Sequence, residues 1–477
     1  MDSLYQPCGT YLGLLGAIST SFRTSKFTSV SLGFFVSYIC YRVCVYPLFL
    51  SPLRGIPCPP LSSWPLGHIS QFLNTDQEPG ILQRDWQKRY GSVKRYGSVV
   101  RFVGPVGVEW VTLYTEEALH KVLVSDWMDY PRPKFLREIL GLAVGFGLLT
   151  VTGLEHKQMR KAMNPAFSMT NIMALDQMKD TLGKDTSTSG SALRIYDWAS
   201  KAALDIICDT AFGYQSEALR NPDNPLTKAY ERMMNLQSVK NLTMFSILLS
   251  IPGMSRFFRT RWGYQYRHIF GWFKVTEPSI VFIESLHKIQ EISRNILNEK
   301  LADDNICAHD HASKKDIMSI LVRIRQGETQ DEYKLTDEAL VDQVLTFLGA
   351  GHETTASDVQ DALRAELAPV FAATSRPTYR DLKDLPLLEN TYRKAETSGY
   401  VDGTYIPAGT LLNIPIRAIN TAETTWGPDA EQFRPSRWNE TLPASYNAKY
   451  GMMSFLAGPH VCIGKTMAMA MMKAILG

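Results

Sequence analysis

The ten residues from Phe455 to Gly464, reading Phe-Leu-Ala-Gly-Pro-His-Val-Cys-Ile-Gly, constrain this chain more than any other stretch, because they give one cysteine a chemical task. Their skeleton is Phe455, Gly458, Cys462 and Gly464. Glycines on both sides of Cys462 let the backbone pass close to a flat, bulky group without Cβ collisions. Amide N–H groups aimed at the sulfur would hold it as a thiolate. A lone soft thiolate on such a loop suits an axial bond to iron. Such a skeleton arises by chance in about one sequence in a thousand of this length and composition. The competing reading is a buried structural cysteine beside a glycine turn.

The remaining cysteines support a reducing environment for the catalytic body. They are Cys8, Cys40, Cys44, Cys58, Cys208 and Cys307, which form no CxxC pair and, with Cys462, make an odd number. With 477 residues, 45% hydrophobic and 20% charged, the chain can bury a large core. Its net charge of +3 is too small to suggest nucleic acid as a partner. The His309-Asp310-His311 run lacks further spaced ligands and reads as a solvated loop rather than a metal site.

A second motif stands at Ala350-Gly351-His352-Glu353-Thr354-Thr355, in the middle of a helix that begins at Asp337 behind a Thr336 cap. Small Ala350 and Gly351 would let a flat cofactor lie against the backbone. Neighbouring carboxylate and hydroxyl groups can pass protons. A hydroxyl here could also merely bond back to the carbonyl four residues earlier.

Together the two motifs resemble the haem-thiolate monooxygenases called cytochrome P-450, over a span from about Tyr46 to the last residue. The resemblance implies a mainly α fold with a small β region, and a haem b whose iron takes Cys462 as axial ligand. Phe455, Gly458, Gly464, Ala350 and Gly351 would then lie against the cofactor, and Glu353 and Thr354 would be the catalytic pair that delivers protons to oxygen. It further implies that His156 and Arg160, four apart on a helix opening near Gly153, reach the haem propionates. His460 stands where the family places a propionate-binding base, usually Arg. The partners implied are an NADPH-dependent flavoprotein reductase and an apolar small-molecule substrate. Lys157 and Lys161 are either a solvated basic face or the reductase contact.

The N-terminal region reads as a membrane anchor over residues 1–50, with apolar stretches from Ser3 to Phe22 and from Phe27 to Tyr41. The second reaches Leu53 if Arg42 snorkels. A proline-rich hinge follows over 51–66, with Pro47 counted among its prolines, and 67–477 forms the catalytic domain. The resemblance places that domain on the cytosolic side of the endoplasmic reticulum membrane. Lys88–Val93 is repeated identically as Lys94–Val99, and one copy running into Val100–Val103 reads as a turn into an edge strand. Trp110–Tyr114 reads as a strand, followed by a helix capped by Thr115. The aromatic cluster at Phe257, Phe258, Trp262, Tyr264 and Tyr266 reads as core or membrane-facing surface.

Three departures from the family pattern make the expected fold incomplete. A segment of about one helix is missing after Ser357. The stretch Leu385–Ala395 enters what resembles the family's Glu-x-x-Arg helix, but Lys394 and Thr397 occupy the motif positions. There Glu389 and Arg393 could form an ordinary helical ion pair, while a substrate-lining strand and a propionate-binding arginine are expected to be absent. Arg437, in Phe433-Arg-Pro-Ser-Arg-Trp438, is expected to lack its carboxylate partner. Only fifteen residues follow Cys462, with Met467, Met469, Met471 and Met472 filling a helix behind the haem. The function the resemblance implies is insertion of one oxygen atom from O2 into an apolar molecule, with secondary metabolism suggested by analogy. The alternative is a catalytically inert, membrane-anchored remnant.

Overall fold

The computed structural model describes residues 29–60, 67–68, 71, 81–90, 99–167, 195–302, 317–326, 335–354 and 391–476, apart from positions 32, 35, 222, 237, 250, 353 and 433. The first apolar stretch, most of the tandem repeat, His309 to His311, Glu353 and Glu389 lie outside the described residues.

Ser29–Gly55 is a helical stretch long and apolar enough to cross a bilayer, and almost none of it is buried in the protein. Phe34 is 74% exposed and Phe49 65%. Pro47, assigned to the hinge from sequence, lies within the helical segment Tyr41–Leu50. The Arg42 guanidinium lies 4.8 Å over the Tyr46 ring, which shields its stem.

The proline segment is fastened to the body. Ser51 accepts from the Leu53 amide and donates to Glu109 at 2.6 Å. Glu109 forms a buried ion pair with Arg101 at 3.0 Å. The Arg101 amide donates to the Pro57 carbonyl, and the His68 amide donates to the Val103 carbonyl. Val103 N–H also donates to His68 Nδ1, leaving Nε2–H to face the Pro59 and Pro60 carbonyls.

These contacts cover an edge. Strands β1 (Val99–Val103), β2 (Glu109–Leu113), β3 (Thr391–Lys394), β4 (Gly399–Val401), β5 (Thr404–Ile406) and β6 (Leu411–Ile414) form two sheets. The larger has the order β1-β2-β6-β3, so β1 is an edge strand whose outer side the hinge occupies. β1 and β3 run antiparallel to their neighbours, whereas β2 and β6 are parallel. The hairpin β4–β5 turns on Asp402 and Gly403, both with positive φ, as an Asp-Gly two-residue turn requires. Thr115 caps the helix Glu116–His120, as its sequence indicates.

The larger core is helical. Ile195–Phe212, Pro225–Met234, Pro278–Ala302 and Ile317–Gln326 bury their apolar faces around the helix over 337–352. Pro225 and Pro278 open helices rather than break them, because a proline at the first helical position sacrifices no hydrogen bond. Thr336 accepts from the Ala339 amide and starts the helix over 337–352. Its Asp342 accepts from Arg259 at 2.7 Å, which ties it to the short helix Met254–Arg259. In the aromatic cluster Phe258 is core, while Trp262, Tyr264 and Tyr266 are exposed. Of the methionines on the helix Lys465–Leu476, Met467 and Met471 are buried, but Met469 faces outward, contrary to its assignment as filling.

Candidate functional site

Phe455 to Gly464 folds around a single tight turn, Gly458–His460. The Cys462 amide donates to the Phe455 carbonyl at 2.9 Å, which closes the loop and leaves the cysteine exposed. Gly458 has φ +71°, and a Cβ there would lie 2.1 Å from the Leu123 carbonyl oxygen. Its smallness therefore serves a close approach to protein backbone. At Gly464 a Cβ would make ordinary contacts, 3.9 Å from Phe167 and 4.0 Å from the Cys462 sulfur. Leu456 holds φ +60°, a conformation a branched residue adopts only when its surroundings enforce it. No sequence signal marks that residue.

Beside this loop stands a group of cations. The helix Gly153–Met163 buries His156 and carries half-buried Arg160, one turn apart on the same face. Arg160 Nη1 donates to the Val461 carbonyl at 2.6 Å, so this guanidinium reaches the cysteine loop itself. The rings of His156 and His460 lie 4.0 Å apart, and Trp127 packs edge-on against both. Burial, reinforced by Arg132, Arg160 and Arg393, pulls His156 down to about 4. Burial and the same arginines also push His460 below its usual range. Arg132 is drawn down to about 10 by burial. Lys157 and Lys161 face outward.

Arg393 was missed. The sequence placed it on a helix, in an ion pair with Glu389, but Thr391–Lys394 is strand β3, paired with β6. The strand stands where the sequence suggested a helix, and its Arg393 is 1% exposed. Arg393 Nη1 donates to the Thr391 hydroxyl and the Tyr392 carbonyl, while Nη2 finds no partner. Strand alternation would put Thr391 and Arg393 on one face, but it does not say which face is inward. Arg132 lay in a loop without pattern and offered no signal.

Among the described residues no carboxylate pairs with Arg132, Arg160 or Arg393. The Nδ1 atoms of His156 and His460 are likewise unpartnered. Several buried positive or polarised groups without an anion are costly. They fit a ligand that brings two carboxylates next to Cys462, as the propionates of haem would.

On the helix over 337–352 the two small residues face different ways. Ala350 and Thr354 lie four apart on one face, both half-buried, and the Thr354 hydroxyl donates to the Ala350 carbonyl. Gly351 faces the helix Ile195–Phe212, where a Cβ would come 2.0 Å from the Ile207 terminal methyl. Gly351 thus serves helix packing, while Ala350 and Thr354 share the other surface. The Phe347 ring lies 5.2 Å from Phe167, whose ring is also the neighbour of Gly464, so this helix and the cysteine loop share one packing residue. His352 is buried against Tyr230, its Nδ1 on the Leu348 carbonyl.

The family whose sequence model is described as Cytochrome P450 matches residues 57–477. This chain belongs to that family of haem-thiolate monooxygenases, as the two motifs indicate. Cytochrome P450 monooxygenase sphH of Aspergillus fumigatus is 28% identical, the match covering 95% of this chain and 87% of that protein. Cytochrome P450 monooxygenase buaD of Petromyces alliaceus is 27% identical over 95% and 85%. Cytochrome P450 monooxygenase FUM15 of Gibberella moniliformis is 26% identical over 96% and 88%. The alternative of an inert remnant gains no support from these likenesses.

Proposed function

We propose that this chain binds haem b through Cys462 and inserts one oxygen atom from O2 into an apolar small molecule, within fungal secondary metabolism. The observation that carries the reading is the group of basic side chains beside the cysteine loop, whose arginines Arg132, Arg160 and Arg393 pair with no carboxylate among the described residues. When bound, haem supplies oxygen activation, which a thiolate ligand favours by donating electron density. Arg132, His156, Arg160, Arg393 and His460 hold the propionates and so orient the ring. Arg160 also interacts electrostatically with Cys462, which partly offsets the lowering that burial imposes on the guanidinium. Phe455, Gly458 and Gly464 shape the cysteine loop, and Ala350, on the helix face it shares with Thr354, would leave room for the flat ring. Gly351 acts behind that face by letting the helix approach Ile207. The Thr354 hydroxyl, resting on the Ala350 carbonyl, keeps lone pairs to accept a proton and can turn to donate one. Glu353, next to it, is the carboxylate that resupplies that proton.

Electrons come from NADPH through a flavoprotein reductase, and the anchor fixes the chain to the endoplasmic reticulum membrane with the catalytic domain in the cytosol. A second membrane contact suits the region from Ile247 to Thr276, which contains no Asp or Glu. There Trp262, Trp272 and Phe273 are 66%, 79% and 68% exposed among Arg256, Arg261 and Lys274.

The test is a carbon monoxide difference spectrum of the reduced protein. A thiolate-type Soret band that disappears in Cys462→Ser supports the reading, and a wild-type chain without haem overturns it. Orientation has its own test, because Asn439-Glu440-Thr441 is an exposed glycosylation sequon. Asn439 should stay unmodified in microsomes, and a glycan there would place the domain on the opposite side.

A further inference from the structure

Arg437 lies on the turn Pro435–Asn439 with its side chain 10% exposed, so its charge needs a carboxylate. The sequence predicts that this partner is missing. In the structure Arg437 Nη1 donates to Asp429 Oδ1 at 3.2 Å and to the Trp426 carbonyl at 3.2 Å. Nη2 donates to the Asp429 carbonyl at 3.0 Å, and the guanidinium lies 5.4 Å over the Trp426 ring. The second carboxylate oxygen of Asp429 is braced by Arg434 at 3.1 Å.

We infer that Asp429 is a positioning residue for Cys462: it supplies the carboxylate to Arg437 and, through that arginine, holds the segment that leads into the cysteine loop. The inference rests on the haem-thiolate reading above.

The connection is continuous. Trp426, held from one side by Arg437, packs against Trp438 at 5.5 Å and Tyr446 at 4.9 Å. Tyr446 lies so close beneath Gly451 that a Cβ there would be 2.6 Å from its ring. Two residues further on, the Met453 amide donates to Asn420 Oδ1 at 2.7 Å, and Asn420 Nδ2 donates to Ser454 at 3.1 Å. Phe455 follows, and its carbonyl receives the Cys462 amide. The bond from Arg437, with help from Arg434, keeps the Asp429 carboxyl below its ordinary range, so it is ionised at neutral pH.

The test compares wild type with Asp429→Asn and Asp429→Glu, each loaded with haem, at equal folded fraction. The readout is the rate at which the reduced, carbon monoxide-bound protein loses its thiolate-type Soret band. Asp429→Asn should lose it at least about fivefold faster, while Asp429→Glu, which restores a carboxylate, stays within about twofold of wild type. A folded Asp429→Asn protein with a wild-type rate overturns the inference. Should Asp429→Asn yield no folded protein, Asp429→Glu decides. Its failure too would show that position 429 needs a shape rather than a charge. A wild-type chain that never shows the thiolate band sinks the haem reading instead, so the two failures are distinguishable.

Discussion

His156 and His460 face each other with ring centroids 4.0 Å apart, and neither Nδ1 has a hydrogen-bond partner. Two imidazoles so placed, beside Arg132, Arg160 and Arg393, resist a further proton. In His156 burial and these arginines move the folded value from 6.5 to about 4. Between those values the unfolded chain binds more protons than the folded one, so folding stability rises with pH. The haem-free protein should lose stability as pH falls from about 6.5 to about 4. His156→Gln should flatten that slope, measured as denaturant midpoint against pH. Haem should weaken it, because its carboxylates favour the protonated ring.

Arg393 is the deepest cation of the group, and Arg393→Met should act with opposite signs on the two forms. Without haem, removing a buried charge that pairs with no carboxylate among the described residues should stabilise the fold by about 1–3 kcal/mol. With haem, the same change removes a propionate partner and should lower retention of the cofactor. Thermal unfolding of both forms, with haem transfer to an acceptor protein, checks both. If the substitution destabilised the haem-free protein, Arg393 would have an anionic partner in the chain.

Gly351 permits the close crossing with Ile207. Gly351→Ala should cost about 1–3 kcal/mol through overpacking. Adding Ile207→Ala should recover part of that loss, and denaturant unfolding of the single and double variants gives the coupling. Additive effects would place the tight contact elsewhere.

Glu109 holds Arg101 and Ser51 together, joining the hinge to the edge of the sheet. Glu109→Gln should cost about 3–5 kcal/mol, because it leaves Arg101 buried without its anion. Amide exchange should quicken first over 51–58 and β1. Glu109→Gln with Arg101→Met should recover much of the loss.

Local geometry was legible in the sequence. Motifs whose geometry is local, such as the Thr115 and Thr336 caps, the Asp402-Gly403 turn and the closed loop around Cys462, form as their residues indicate. A cap or tight turn is set by neighbours within a few positions. The glycines show where such reading stops. Gly351 and Gly458 do need to be small, but their neighbours are Ile207 and Leu123, over a hundred residues away along the chain. The partner of a small residue cannot be inferred from its own segment.

The order of residues was enough to set Cys462 in a glycine-flanked loop, to put His156 and Arg160 on one helical face, and to mark an apolar stretch fit to cross a membrane. Each follows from spacing along a single element. Folding was needed to turn Arg393 from a supposed helix into strand β3 beside His156 and His460, and to give Arg437 its carboxylate in Asp429. A buried charge takes its partner from whatever the packing brings within a few ångströms, and that distance in space has no counterpart in distance along the chain.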